Sequence, residues 1–150
     1  MKYTKRTKII GIDPDVDKSG FAVWLPEIQR FELITSATLL EIMEYFSCYH
    51  ETVLSVVVEA GWLNKGNRHI HAKTTPRIAA KTGENVGRNF QRGIDLVEVM
   101  EFFKIPCRLV KPIATNSWKN DEKMFQKITG TKGGNPEKRD AAMLVFGLKQ

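Results

Sequence analysis

Apolar positions along the chain alternate between short β-branched runs and stretches at helical spacing. Lys8-Ile9-Ile10-Gly11-Ile12-Asp13 is an apolar run that stops on a carboxylate, and a Pro/Asp/Gly-rich turn separates it from a second run, Phe21-Ala22-Val23-Trp24-Leu25. That pattern reads as strand, turn, strand. Pro26 and Glu27 mark another turn, and Phe31 to Thr35 completes an antiparallel meander. The period then changes. Thr38 and Glu41 match a capping box, and Leu39, Leu40, Ile42, Met43 and Phe46 recur at helical spacing to about Tyr49. Val53 to Glu59 is apolar on both faces, as a central strand covered on two sides would be, and it too ends on a carboxylate.

Residues 60–75 carry glycines, polar residues and two histidines without periodicity, and read as a mobile loop before a long helix that starts near Pro76. Val86, Phe90, Ile94, Val97 and Phe102 form its apolar stripe. Ala79, Gly83 and Gly87 form a stripe of small residues where another backbone can approach or the helix can kink. Cys107 to Val110 is a fifth strand, and Asn120 is placed to cap a helix from Asp121 to about Ile128. Thr129 to Gly134 reads as a flexible connection. Asn135 and Pro136 open a closing helix whose apolar residues are Ala141, Ala142, Leu144, Val145 and Leu148. The pattern is that of a mixed α/β sheet with helices on its faces, in one domain over residues 1–150.

Charge sharpens this outline. The net charge is +6, and between Gly61 and Arg92 seven basic residues (Lys65, Arg68, Lys73, Arg77, Lys81, Arg88, Arg92) face one acid, Glu84, a local +6. The excess is concentrated in one stretch, as on a phosphate-tracking surface, although a solvated helix face gives the same count. No apolar run approaches a membrane span or a signal peptide, so a soluble, cytoplasmic protein is expected, with no membrane partner. Cys48 and Cys107 lack metal or redox spacing and read as small buried side chains.

A carboxylate at the end of a buried strand calls for compensation. If the first and fourth strands are parallel neighbours, Asp13 and Glu59 meet at their carboxyl ends, where open sheets place their sites. Glu137 and Asp140, at i and i+3, share a face of the last helix; acids near a helix N-terminus are also favoured by its dipole alone. Such a cluster suits Mg²⁺ or Mn²⁺, and two ions in it would serve phosphodiester hydrolysis. Asp13-x-Asp15-x-Asp17 is not a calcium loop, because Lys18 stands where glycine is needed and Trp24 where the closing glutamate would be. His69-x-His71 has no further ligand nearby in sequence. Nor does the chain carry the glycine-rich phosphate loop and second lobe of the actin/hexokinase-type ATPases.

Three motifs together resemble the RuvC-type Holliday junction resolvases of the RNase H-like superfamily: Ile10-Gly11-Ile12-Asp13-Pro14 with Ser19-Gly20-Phe21-Ala22-Val23, then Val57-Val58-Glu59, then Glu137-Lys138-Arg139-Asp140-Ala141-Ala142. The resemblance runs over nearly the whole length. It implies a five-stranded RNase H-like sheet, with the first three strands antiparallel and the fourth and fifth parallel to the first. It also implies metal-binding catalytic roles for Asp13, Glu59, Asp140 and Glu137, and a homodimer acting on branched DNA. Trp62 stands where the family has an aromatic that stacks on an unpaired base; an ordinary core aromatic is the competing reading. Stacking of that kind is worth roughly 1–3 kcal/mol. Lys111 and Lys123 stand near the family lysines that assist the phosphate, and Lys119 is an alternative to Lys123. The chain departs from the family at Asp15 and Val16, where glycine and a small polar residue are usual, and at Glu137, where aspartate is. The expected activity is metal-dependent cleavage of four-way junctions. Non-catalytic nucleic-acid binding, or cleavage of other branched DNA or RNA, stands as the alternative.

Overall fold

The computed structural model describes residues 5–64, 75–112 and 117–150. The apolar runs become β1 (Lys8–Asp13), β2 (Ser19–Leu25) and β3 (Arg30–Ala37), and then β4 (Val53–Glu59) and β5 (Cys107–Val110). They form one sheet in the order β3-β2-β1-β4-β5. β1 pairs antiparallel with β2 and parallel with β4, and β4 pairs parallel with β5. This is the expected RNase H-like sheet, with β1 and β4 at its centre.

Each strand alternates its side chains between two faces. On one face Ile10, Ile12, Phe21, Val23, Val56 and Val58 are buried under helix α1 (Leu39–Tyr49) and helix α2 (Pro76–Phe102), which contribute Ile42, Phe46, Leu96 and Met100. The capping box at Thr38 and Glu41 is formed as expected. α2 is continuous, and among the described residues nothing lies within 4 Å of a Cβ at Gly83 or Gly87.

The other face carries Ile9, Ala22, Trp24 and Val57, covered by helix α4 (Pro136–Met143), the turn after it, and Phe125 of helix α3 (Glu122–Thr129). α4 ends at Met143, earlier than the apolar pattern implies. Val145 is buried all the same, and the chain end is tied down where the Trp24 indole Nε1 donates to the Leu148 carbonyl at 2.9 Å. α3 is capped by Asp121 rather than Asn120, because the Asp121 carboxylate accepts from the Met124 amide at 3.0 Å. The stretch before α4 is more than a flexible connection: Gly133 is buried against Phe125 and Arg139. Cys48 is exposed on α1, contrary to expectation, while burial, with a smaller push from Glu101, raises the Cys107 thiol to about 11. Among the described residues no helix is long and apolar enough to cross a membrane.

Two glycines decide how α4 seats. A Cβ at Gly11 would lie 2.1 Å from the Ala141 carbonyl oxygen, and one at Gly20 would lie 2.1 Å from that of Glu137. The helix backbone therefore rests directly on β1 and β2. Gly11→Ala should destabilise by about 1–3 kcal/mol, the usual effect of overpacking. Gly87→Ala, in open space within a helix, should stabilise by roughly 0.5–1 kcal/mol. Urea denaturation of both variants checks the pair; equal midpoints would show that α4 is not held as described.

Candidate active site

Ile12 of β1 lies opposite Val58 of β4 in the parallel register. The next residue of each strand, Asp13 and Glu59, therefore leaves the same end of the sheet on the face that α4 covers. Asp13 pairs across the hairpin with Gly20, the residue on which the first turn of α4 rests. α4 begins there because the Asn135 side chain accepts from the Lys138 amide at 3.0 Å and Pro136 occupies the first helical turn. The seating carries Asp140, only 5% exposed, to the two strand-end acids.

The three carboxylates feel one another. Burial, followed by the charges of Glu59 and Asp140, pushes Asp13 from 3.8 to about 8; Lys119 opposes the rise and Glu137 adds to it. Glu59 is also raised, by burial and then by Asp140, again with Lys119 opposing. Lys119 places its Nζ 2.6 Å from Asp140 Oδ2. Burial alone would lower the lysine, but its hydrogen bond to Asp140 and the charges of Asp140, Asp13 and Glu59 raise it on balance. The structure thus joins Asp13, Glu59 and Asp140 with one lysine, and leaves Glu137 at the margin.

Two cavities flank the acids, and Glu59 borders both. One, of about 190 Å³, is lined by Asp13, Pro14, Glu59, Trp62, Asn89 and Phe90. The other, of about 170 Å³, is lined by Glu59, Asp140, Lys111, Trp118, Met143 and Leu144. Trp62 combines the two readings of its sequence position: a Cβ at Gly93 would meet its ring at 2.2 Å, so the indole packs on α2 while it also lines the first cavity.

Lys111 follows β5 and reaches the second cavity, whereas Lys123 is exposed on α3 and Lys119 holds the position on Asp140. Arg77, Lys81 and Arg88 are exposed on α2, Arg88 beside Glu84 at 2.9 Å. Arg92 turns inward, donating to the Val16 carbonyl at 3.1 Å. Lys65, Arg68, Lys73 and both loop histidines lie outside the described residues. The Asp15 carboxylate serves the turn itself, accepting from the Asp17 amide at 2.9 Å. Nothing in the sequence marks Arg139 or Asn89: an arginine inside a polar helical turn and an asparagine in a long helix carry no signal of a tertiary role.

Among the described residues no three His, Cys, Asp or Glu side chains are grouped to hold a single ion as they stand. The donor chemistry nevertheless fits a hard divalent cation: the acids are oxygen ligands at one strand end, and their mutual repulsion is relieved by positive charge.

No family model matches the chain, and no curated protein matches its sequence. Solved structures match its fold. A structure of Thermus thermophilus RuvC is 14% identical, with a TM-score of 0.53, over 93% of this chain and 90% of that one. The T. thermophilus RuvC in complex with a Holliday junction substrate is 14% identical, with a TM-score of 0.50, over 94% and 90%. The chain therefore has the RuvC-type RNase H-like fold.

The raised Asp13 has a consequence for stability. Between pH 4 and 8 the folded protein holds a proton that the unfolded chain releases, so this group stabilises at low pH and its contribution is lost as pH rises through 8. Asp13→Asn should be more stable than the native protein at pH 8, by an amount on the order of a few kcal/mol. The difference should shrink toward pH 4. Denaturation at pH 4.5, 6 and 8 checks this, and parallel curves would refute it.

Proposed function

We propose that this protein is a divalent-metal-dependent endonuclease that resolves four-way DNA junctions as a homodimer, with residues 1–150 forming one nuclease domain. The observation that carries the reading is the electrostatically coupled set of Asp13, Glu59 and Asp140 at the carboxyl ends of β1 and β4. A module that only bound nucleic acid would gain nothing from clustered carboxylates facing phosphate. The RuvC-type fold supports the same reading.

Asp13, Glu59 and Asp140, with Glu137 beside them, would hold the ions, Mg²⁺ or Mn²⁺. When bound, a pair of such ions activates water and stabilises the leaving oxygen of a phosphodiester. The remaining work falls to the chain's own groups. Lys119 offsets negative charge at the acids and can donate to a phosphate oxygen from its place beside Asp140. Lys111 brings a second positive charge to the neighbouring cavity. Trp62 and Phe90 give the first cavity aromatic faces on which a base can stack. α2 lines that cavity with Asn89 and Phe90, and its exposed Arg77, Lys81 and Arg88 continue the positive surface outward for DNA. Two copies give two active sites, which suits the two-fold symmetry of a four-way junction.

A labelled four-way junction, incubated in Mg²⁺, Mn²⁺ or EDTA beside a linear duplex, tests the proposal. Paired nicks in the junction alone are expected, abolished by EDTA and by Asp13→Asn. Tight junction binding without cutting in either metal would replace it with a binding protein. Cleavage of a different branched DNA or of RNA would retain the nuclease but not the resolvase.

A further inference from the structure

We infer that Arg139 is a positioning residue, which anchors the backbone of Lys119 so that the lysine ammonium is presented to Asp140 and the acid cluster. The inference rests on the proposed active site and extends it to a residue with no access to substrate.

Arg139 is 5% exposed, a rare position for an arginine. Its Nε donates to the Lys119 carbonyl at 3.1 Å, Nη2 donates to the same oxygen, and Nη1 donates to the carbonyl of Gly134. The side chain reaches these acceptors across Gly133, where a Cβ would lie 2.4 Å from its Cγ. Among the described residues no carboxylate is ion-paired with it. A buried guanidinium satisfied only by neutral carbonyls is an expensive way to hold a loop, whereas its planar fork fixes the position and orientation of one peptide unit.

That peptide belongs to Lys119, whose ammonium sits 2.6 Å from Asp140, the residue immediately after Arg139. The backbone of residue 119 is thus tied to the residue preceding Asp140 and its side chain to Asp140 itself. Lys119 approaches α4 through two adjacent residues, and its ammonium is directed by both. The influence on the acids travels through the lysine: the charge that opposes the rise of Asp13 and Glu59 is that of Lys119.

The test compares Arg139→Gln, Arg139→Lys, Lys119→Ala and the double variant Arg139→Gln/Lys119→Ala, each shown to be folded by circular dichroism. Single-turnover cleavage of a four-way junction in Mg²⁺ is the first readout. Arg139→Gln should slow it by about 10- to 100-fold, the scale of a displaced catalytic group. Arg139→Lys, which keeps the charge and one donor, should lose less. The double variant should be no slower than Lys119→Ala, because both act through one group. Independent losses that multiply would overturn the inference. The second readout needs no activity: the side-chain NMR signal of Lys119, with Asp140→Asn as the reference for an unpaired lysine. In Arg139→Gln the signal should move toward that reference, and in Arg139→Lys part of the way. An unchanged Lys119 signal would overturn the assignment. A native protein that cuts no junction refutes the proposed function and leaves the NMR comparison to decide on Arg139.

Discussion

The crowding of three carboxylates at one sheet end, where partial burial and then mutual repulsion disfavour their charge, is the constraint to which the rest of this structure answers. Asp13, Glu59 and Asp140 are delivered by three different elements, β1, β4 and α4, each held by ordinary packing. Asp13 responds by holding its proton to about 8, and Lys119 by inserting its ammonium at 2.6 Å from Asp140. A site arranged in this way is poised for positive charge. It lowers the stability of the folded chain at neutral pH and in return presents acceptors that a cation or a phosphate-bound ion would satisfy.

The seating of α4 makes the constraint unavoidable. Apolar burial on both faces holds the sheet, but only Gly11 and Gly20 allow a helix backbone to rest on β1 and β2 so closely that Asp140 reaches the strand ends. Ala141 and Ala142, fully buried in the same helix, keep the approach short from the other side. Fold and site therefore share residues. The small side chains that complete the core also set the distance between the acids.

Much of this was legible in the chain itself. The apolar runs, their β-branched composition and the capping residues identified all five strands and the starts of α1, α2 and α4, because those signals are local. The convergence of Asp13 with Glu59 followed from a parallel pairing that the register bears out. What the sequence left open was finer geometry. Asp121, one residue on from Asn120, caps α3, and Arg92 of the basic stretch makes a hydrogen bond to the turn after Asp13 that no sequence pattern signals. Lys119 rather than Lys123 meets Asp140, since the choice depends on a backbone path that Arg139 holds from a distant part of the sequence. Polar residues that donate across the fold leave no periodicity in the sequence.

The turn after Asp13 is held by one such set of contacts across the fold. Asn89 accepts from the Val16 amide at 2.9 Å and Arg92 donates to the Val16 carbonyl at 3.1 Å, so α2 grips the turn through its peptide groups alone. A grip of that kind does not involve the Val16 side chain, whereas the Asp15 carboxylate closes the turn itself by accepting from the Asp17 amide. A substitution at position 16 that keeps the backbone hydrogen bonds to Asn89 and Arg92 would therefore leave the end of β1, and Asp13 with it, in place.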